Sequence, residues 1–407
     1  MTETPPEAGR QLALATAAFA VCFFAWSLMG PLGPDLQKQL GLSDVETSAV
    51  VAVPVLMGSL ARIPLGWLAD RFGGRHVFVV LMALVPVPLV ALALWHDSLG
   101  SLLVFGFFLG FAGASFAVGV PMVNGWYPPG RQGFALGIYG LGTGGTTAAG
   151  LLAPRMGDVA TPFWVAAGLL LVTAAVFAAF ARDAPRERTE PPPSMFASLS
   201  VFRGSSRAWG LTLFYFLTFG GFAAMFLYLP KLLTGVHELS KADAGARAAG
   251  FAVLAVLARP AGGWLSDRIG APRVLAICFV AISVLALVLA AGYEEMVALT
   301  IACLTVAVFL GAGSGAVFKL VPEWFPDRVG AVTGVVGAAG GLGGFFPPLV
   351  MGVVKSATGG YALGFVLMAL VAVACLLVMR RLEAGPPPQP ARPSPAAARP
   401  GTPPGPR

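Results

Sequence analysis

The 407-residue chain predicts an all-α membrane protein with twelve transmembrane helices in two pseudo-symmetric six-helix halves. Three observations predict it. First, the chain is 57% hydrophobic and only 11% charged, whereas a soluble domain carries about a quarter charged residues. Its apolar runs of about twenty residues each suffice to cross a hydrocarbon layer about 30 Å thick. Second, the runs are continuous and lack the period-two alternation of a closed barrel, the other fold that can cross lipid. Third, the string Leu60-Ala-Arg62-Ile-Pro-Leu-Gly66-Trp67-Leu-Ala-Asp70-Arg71-Phe-Gly73 recurs 197 positions later as Leu257-Ala-Arg259-Pro-Ala-Gly-Gly263-Trp264-Leu-Ser-Asp267-Arg268-Ile-Gly270.

The elements follow in order. A polar start of ten residues precedes the first run, 11–33. The second, 47–69, carries Arg62 and stops at Asp70. The third, 77–95, begins beyond Arg75. The fourth, 100–125, holds Phe116 among small residues, and the fifth, 134–155, is rich in glycine. The sixth, 162–181, closes the first half, 11–181. A charged linker over 182–207, with Pro191, Pro192 and Pro193, suits a loop outside the membrane. The seventh run, 208–233, carries Tyr215 and Phe219. The eighth, 244–266, carries Arg259 and stops at Asp267. The ninth (274–292), tenth (297–322), eleventh (330–353, again glycine-rich) and twelfth (361–381) complete the second half, 208–381. The tail over 382–407 is proline-rich and predicts disorder. The repeat also matches Arg131 with Arg328, Gly133 with Gly330, Gly137 with Gly334, Gly140 with Gly337 and Gly144 with Gly341. Parallel repeats about an axis along the membrane normal are one transporter plan.

Charge sets the expected topology. Most of the twenty-six Lys and Arg, among them Arg71, Arg75, Arg186, Arg188, Arg268 and Arg273, fall on one side of these runs. Lys38, Arg155, Lys231, Lys241, Arg247 and Lys355 fall on the other. The positive-inside rule places both termini in the cytoplasm. It also accounts for the net charge of +7 without a nucleic-acid partner. No signal peptide is evident. The four cysteines, Cys22, Cys278, Cys303 and Cys375, lie in different runs and read as small core residues. His76, His96 and His237 are scattered. Nothing resembles a nucleophile triad, a zinc motif or a phosphate loop, so neither an enzyme, a metal site nor a cofactor is expected.

Arg62 and Arg259 carry the functional argument. A helix rises about 1.5 Å per residue, so Arg62 lies roughly 12 Å above Asp70, near the middle of the layer. Arg259 holds the same place relative to Asp267. Arginine keeps its proton, so its charge in lipid costs several kcal/mol unless a partner or water is present. The runs hold no plausible acidic partner, which leaves the cargo as the counter-charge: a small anion, held between the halves. A guanidinium fork can give two hydrogen bonds to a planar oxyanion. The plainer alternative is that each arginine only ties helices together through backbone carbonyls.

The glycine strings of the fifth and eleventh runs make flat helix faces on which another backbone can lie. Gly137, Gly140, Gly334 and Gly337 read as packing and sliding surfaces. Gly144, Gly340 and Gly341 read as exposed backbone beside the site. Asp70 and Asp267, each at a helix end, can pair with a cation on a neighbouring loop, Arg131 or Arg328, as a latch that opens with the cytoplasmic side. Their alternative is topology charge alone. Phe116, Tyr215 and Phe219 read as core or lipid-facing aromatics when taken by themselves.

The duplicated loop strings resemble the signature of the major facilitator superfamily, and the glycine strings resemble those of its nitrate/nitrite porters. Gly337-Ala-Ala-Gly340-Gly341-Leu-Gly343-Gly344-Phe345-Phe346-Pro347 is similar to that family's second nitrate signature. Gly140-Leu-Gly142-Thr143-Gly144 is similar to the first, with Thr143 where the family commonly has Asn. The resemblance implies the major facilitator fold. It implies that Arg62 and Arg259 bind substrate, that Phe116, Tyr215 and Phe219 wall the anion site, and that Thr143 contributes there. It implies nitrate and nitrite as substrates, membrane lipid as surroundings, a monomer, and no cofactor. With no buried proton carrier in view, nitrate-for-nitrite exchange is the expectation. Proton–nitrate symport, transport of another small anion such as a monocarboxylate, and anion sensing without transport stay open. High Ala, Gly, Pro and Arg with little Lys points to a GC-rich bacterium, and so to its cytoplasmic membrane.

Overall fold

A computed structural model describes residues 4–185 and 194–384, except the side chains of Asp44, Lys241, Ala242 and 347–357. Arg186, Arg188, Pro191, Pro192, Pro193, the side chains of Pro347 and Lys355, and the tail from 385 onward therefore lie outside the described residues.

Twelve helical crossings follow the order read from the sequence: α1 (Ala8–Leu40), α2 (Asp44–Phe72), α3 (Gly74–Leu94), α4 (Leu99–Trp126), α5 (Gln132–Gly140 then Gly144–Leu152), α6 (Ala160–Phe180), α7 (Ser206–Val236), α8 (Lys241–Ile269), α9 (Ala271–Gly292), α10 (Met296–Trp324), α11 (Val329–Thr358) and α12 (Ala362–Ala384). Among the described residues, eleven helices are long and apolar enough to cross a membrane. The remaining crossing is α5, which is made in two pieces. The described residues contain no strand.

Local chemistry explains the ends, and it repeats. Ser43 caps α2 in a box with Glu46, and 197 positions on, Ser240 accepts from the Asp243 N–H at the start of α8. Both α2 and α8 stop at a glycine in the left-handed region, Gly73 (φ +87°) and Gly270 (φ +89°). A side chain there is strained, so the turn into the next helix requires glycine in both copies. α2 packs along α11 and α5 packs along α8, which brings the arginine-bearing helices against the glycine-rich ones. α3 with α6, and α9 with α12, lie at the periphery. Exposed apolar side chains such as Leu84, Val172, Val284 and Leu377 line that outer surface, as lipid requires.

Three expected helices differ in detail. α1 runs past the expected 33 to Leu40, with a break at Ser27–Leu28. α7 contains a π-helical turn at Phe216–Gly220, between its two flanking α-helical stretches. α5 was expected as one helix over 134–155 and is instead interrupted by a 3₁₀ turn, Leu141–Thr143. The reason for the last is visible in the hydrogen bonds. The Gly144 N–H donates to Leu141 O, while the Gly140 carbonyl accepts the Thr143 hydroxyl at 2.9 Å and the Arg259 Nη1 at 3.3 Å. Two side-chain donors take the acceptor that a regular helix would use.

Candidate anion site

Arg62 and Arg259 are both buried, with 1% and 3% of their surface exposed. Each is held by the glycine face opposite, in the same register. Arg62 Nη1 donates to Gly337 O of α11 at 2.5 Å, and Arg259 Nη1 donates to Gly140 O of α5 at 3.3 Å. Gly337 and Gly140 are themselves 197 apart. A Cβ at either glycine would lie 3.1 Å from the arginine Cδ, so only glycine lets the side chain slide past at that depth. One turn along, the same helices touch backbone to backbone, Gly334 on the Arg62–Ile63 peptide and Gly137 on the Arg259–Pro260 peptide.

The two guanidinium groups flank one ring. The Arg62 Cζ is 5.9 Å and the Arg259 Cζ 5.2 Å from the centroid of Phe219, close enough for cation–π attraction. Tyr215 stacks on Phe219 at 5.1 Å with an 8° interplanar angle. Phe116 lies 6.3 Å from Tyr215 and nearly parallel to it, and Phe318 meets both edge-on at 4.6 Å. Tyr215 and Phe219 also rest on Gly340, whose missing side chain makes room for the two rings.

Among the described residues neither arginine forms an ion pair. Arg62 gives a second hydrogen bond, from Nε to Gly113 O at 3.0 Å. The Arg259 Nε is buried without a partner. A guanidinium has five N–H donors, so backbone carbonyls take only part of this pair's capacity. What stands is a buried, doubly cationic, aromatic-walled position with N–H donors to spare.

The other expected residues fall as follows. Gly341 sits by Ser59 and 3.6 Å, measured to its would-be Cβ, from Arg62 Nη1, at the site. Gly144, its repeat mate, faces open space with no arginine within 4 Å. Thr143 is buried, and its hydroxyl is spent on Gly140 O, the carbonyl that also holds Arg259. Thr143→Val is expected to cost about 1 kcal/mol, one neutral hydrogen bond, and to change nitrite affinity by less than about tenfold. A melting curve and a binding isotherm on the purified variant check both.

The latch residues come together differently from the expectation. Asp70 accepts from the Gly330 and Ala331 N–H groups at 3.0 and 2.8 Å, and Asp267 accepts from those of Gly133 and Phe134 at 2.9 and 2.8 Å. Each carboxylate thus caps the start of a facing helix, where orphan donors and the helix dipole favour a negative charge. Arg131 donates to the Thr4 hydroxyl, and Arg328 to the Ala197 carbonyl. The ion pair on Asp267 comes from Lys319, a residue the sequence reading passed over. The same signal that marked the arginines, a cation inside an apolar run, marks Lys319 as well. Phe318, Phe222, Tyr139 and Ser59 also adjoin the site and carry no such signal.

The model of the Major Facilitator Superfamily matches residues 14–318 and 233–405. A Mycobacterium tuberculosis (strain ATCC 25618 / H37Rv) protein named "probable nitrate/nitrite transporter NarK2" is 42% identical over 372 residues, covering 89% of this chain and 94% of that one. The "nitrite extrusion protein" of Bacillus subtilis (strain 168) is 39% identical over 373 residues, covering 91% and 93%. In fold, the chain is similar to the human organic anion transporter MFSD10, with a TM-score of 0.78 at 17% identity over 92% of this chain and 100% of that one. The proton:xylose symporter XylE gives a TM-score of 0.76 at 13% identity, over 92% and 95%.

Proposed function

Because the chain belongs to the Major Facilitator Superfamily, and within it to the nitrate/nitrite porters, we propose that it is a nitrate/nitrite transporter, not an enzyme, that exchanges the two anions by alternating access. One observation carries the anion site: two buried arginines without an ion pair, on either side of Phe219. Arg62 and Arg259 clamp the anion. Phe116, Tyr215 and Phe219 limit its size, since a wall of rings offers no partner to the polar parts of a larger anion. The units 11–181 and 208–381 rock about this point. The glycine faces of α5 and α11 allow the movement, and the Asp70 and Asp267 caps close the end at which they lie. By the distribution of cations that end is cytoplasmic, together with both termini, in a bacterial inner membrane.

Exchange follows from the charges. Without an anion, closure leaves two permanent cations facing one another in low dielectric, so the empty carrier reorients slowly and a bound anion is needed in each direction. The enclosed acids Asp70 and Asp267 are occupied as helix caps, eight residues from the arginines. Among the described residues no histidine is buried. Both facts favour exchange over proton coupling. In proteoliposomes, nitrite uptake is expected to require nitrate or nitrite inside, and to be unaffected by an imposed pH gradient. Robust uptake into anion-free vesicles driven by a pH gradient overturns exchange. Competition by formate or chloride as strong as by nitrate overturns the substrate assignment.

A further inference from the structure

A groove of about 220 Å³ lies between α7, α11 and α12. An apolar cavity of about 150 Å³ already accepts a guest the size of benzene. Leu217, Ala224 and Tyr228 of α7 face Phe346 of α11 and Leu367 and Met368 of α12 across it. Among the described residues that line it, only Tyr228 carries a side-chain oxygen or nitrogen. Water needs about two to four polar partners to stay in such a place, so the groove offers it almost nothing. Leu217 and Leu232 in the floor are buried, while Phe346 and Leu367 at the rim are 50% and 38% exposed. The groove therefore opens on the outer apolar surface, where lipid tails are the neighbours.

Its place along the helices sets which lipid can reach it. α8 finishes at Ile269, beside Asp267, so its start at Lys241 is at the end away from that cap. α7 reaches the same far end at Val236. Lys231 stands in the last turns of α7, two turns beyond Ala224 on the same edge of the helix. It is exposed, and among the described residues it forms no ion pair. At about 1.5 Å per residue, Leu217 and Lys231 are roughly 20 Å apart, about half the thickness of a bilayer with its headgroups. An apolar slot and an unpaired ammonium thus stand at the spacing of the tail and the head of one lipid molecule.

We propose that this groove binds one anionic phospholipid from the leaflet away from the Asp70 and Asp267 caps, with an acyl chain between α7, α11 and α12 and the headgroup phosphate on Lys231. The chain reaches the back of the anion site. Phe216 and Leu217 line the groove and belong to the π-helical turn Phe216–Gly220, which also carries Phe219 between the two guanidinium groups. On its other side this turn is pressed against α11, where a Cβ at Gly220 would lie 2.5 Å from the Cα of Gly343. An acyl chain supplies packing atoms on the groove side and so holds Phe219 in register. That effect rests on the anion-site reading; the binding of the lipid does not.

The test is native mass spectrometry of the delipidated full chain, titrated with dioleoylphosphatidylglycerol or dioleoylphosphatidylcholine, which share their tails and differ in head charge. The first phosphatidylglycerol is expected to bind about fivefold more tightly than the first phosphatidylcholine, the contribution of one lysine near a membrane surface. Lys231→Gln is expected to bring phosphatidylglycerol down to the phosphatidylcholine level and to leave phosphatidylcholine unchanged. Ala224→Phe, which fills the groove with a ring, is expected to weaken the first binding of both lipids by at least about tenfold. If that variant does not accumulate, Gly364→Leu fills the same groove from α12 and is expected to act alike. Equal binding of the two lipids by the unaltered protein overturns the proposal. So does a phosphatidylglycerol preference that survives Lys231→Gln, or first-lipid binding that survives a filled groove. A dimer that either filling variant abolishes overturns it too, because a second copy then covers the groove. Nitrite is expected to bind severalfold more tightly to lipid-loaded than to lipid-free protein, and equal affinity overturns the effect on Phe219. A protein that binds the lipid as expected but takes up no nitrite in either form sinks the anion-site reading and leaves the lipid site standing.

Discussion

Arg62→Lys and Arg259→Lys are each expected to lower nitrite affinity and nitrate–nitrite exchange by at least about a hundredfold, the loss of one or two charge-assisted hydrogen bonds at about 1.5–3 kcal/mol each. Both changes keep the charge, so steering of anions to the site by net charge is preserved. What they remove is the fork. The Arg62 guanidinium reaches Gly113 O of α4 through Nε and Gly337 O of α11 through Nη1, in the buried interior. A lysine ammonium is a compact charge that cannot hold two carbonyls on different helices and an oxyanion in one plane. Arg62→Lys is also expected to lower the melting temperature more than Arg259→Lys does, because Arg259 makes one such bond, at 3.3 Å, where Arg62 makes two. Isothermal titration with nitrite, proteoliposome exchange and thermal unfolding read these effects separately. Near-normal affinity in either lysine variant counts against the clamp.

The second large effect belongs to the glycine faces. Gly334→Ala and Gly137→Ala are each expected to cut exchange by about tenfold or more, from overpacking that costs about 1–3 kcal/mol. A Cβ at Gly334 would lie 2.9 Å from the Cα of Ile63, and one at Gly137 2.7 Å from the Cα of Pro260. Both obstacles are backbone, so no rotamer change relieves them. α11 must back away from α2, or α5 from α8, and with that displacement the arginine loses its register against Gly337 or Gly140. Gly150→Ala is the control: it lies on the second piece of α5 with nothing within 4 Å of its Cβ position, and it is expected to exchange at the rate of the unaltered protein. Expression-normalised flux in vesicles decides, and full activity of Gly334→Ala would rule out close approach of α2 and α11 as a requirement.

Much of the site was legible before any coordinates. The offset of 197 that pairs Arg62 with Arg259 also pairs Gly140 with Gly337, and these are the glycines whose carbonyls hold the two side chains. Gly73 and Gly270 mark the ends of α2 and α8 because only glycine takes their positive φ cheaply. Other features left no trace in the pattern. The break in α5 depends on two donors, Thr143 and Arg259, competing for one carbonyl, and one of them arrives from 119 residues away. The partners of the latch aspartates were misplaced because charge suggests another side chain, whereas the nearest strong donors are the uncapped N–H groups of a facing helix. Those groups are invisible in a list of residue types. Gly144 was grouped with Gly341 by repeat alone, and the helix break beside it leaves it facing open space.

The amino-acid sequence by itself determined that this chain lies in a membrane, how many times it crosses, and that two cations stand inside its apolar runs. Those are sums over single residues, since the cost of a side chain in oil depends mainly on its own chemistry and its distance from the nearest helix end. Only the tertiary structure decided which carbonyls the guanidinium groups hold, that both flank Phe219, and that Lys319 rather than an arginine meets Asp267. Hydrogen bonds and ring contacts act over a few ångströms, so their partners are chosen by how helices far apart along the chain lie against one another.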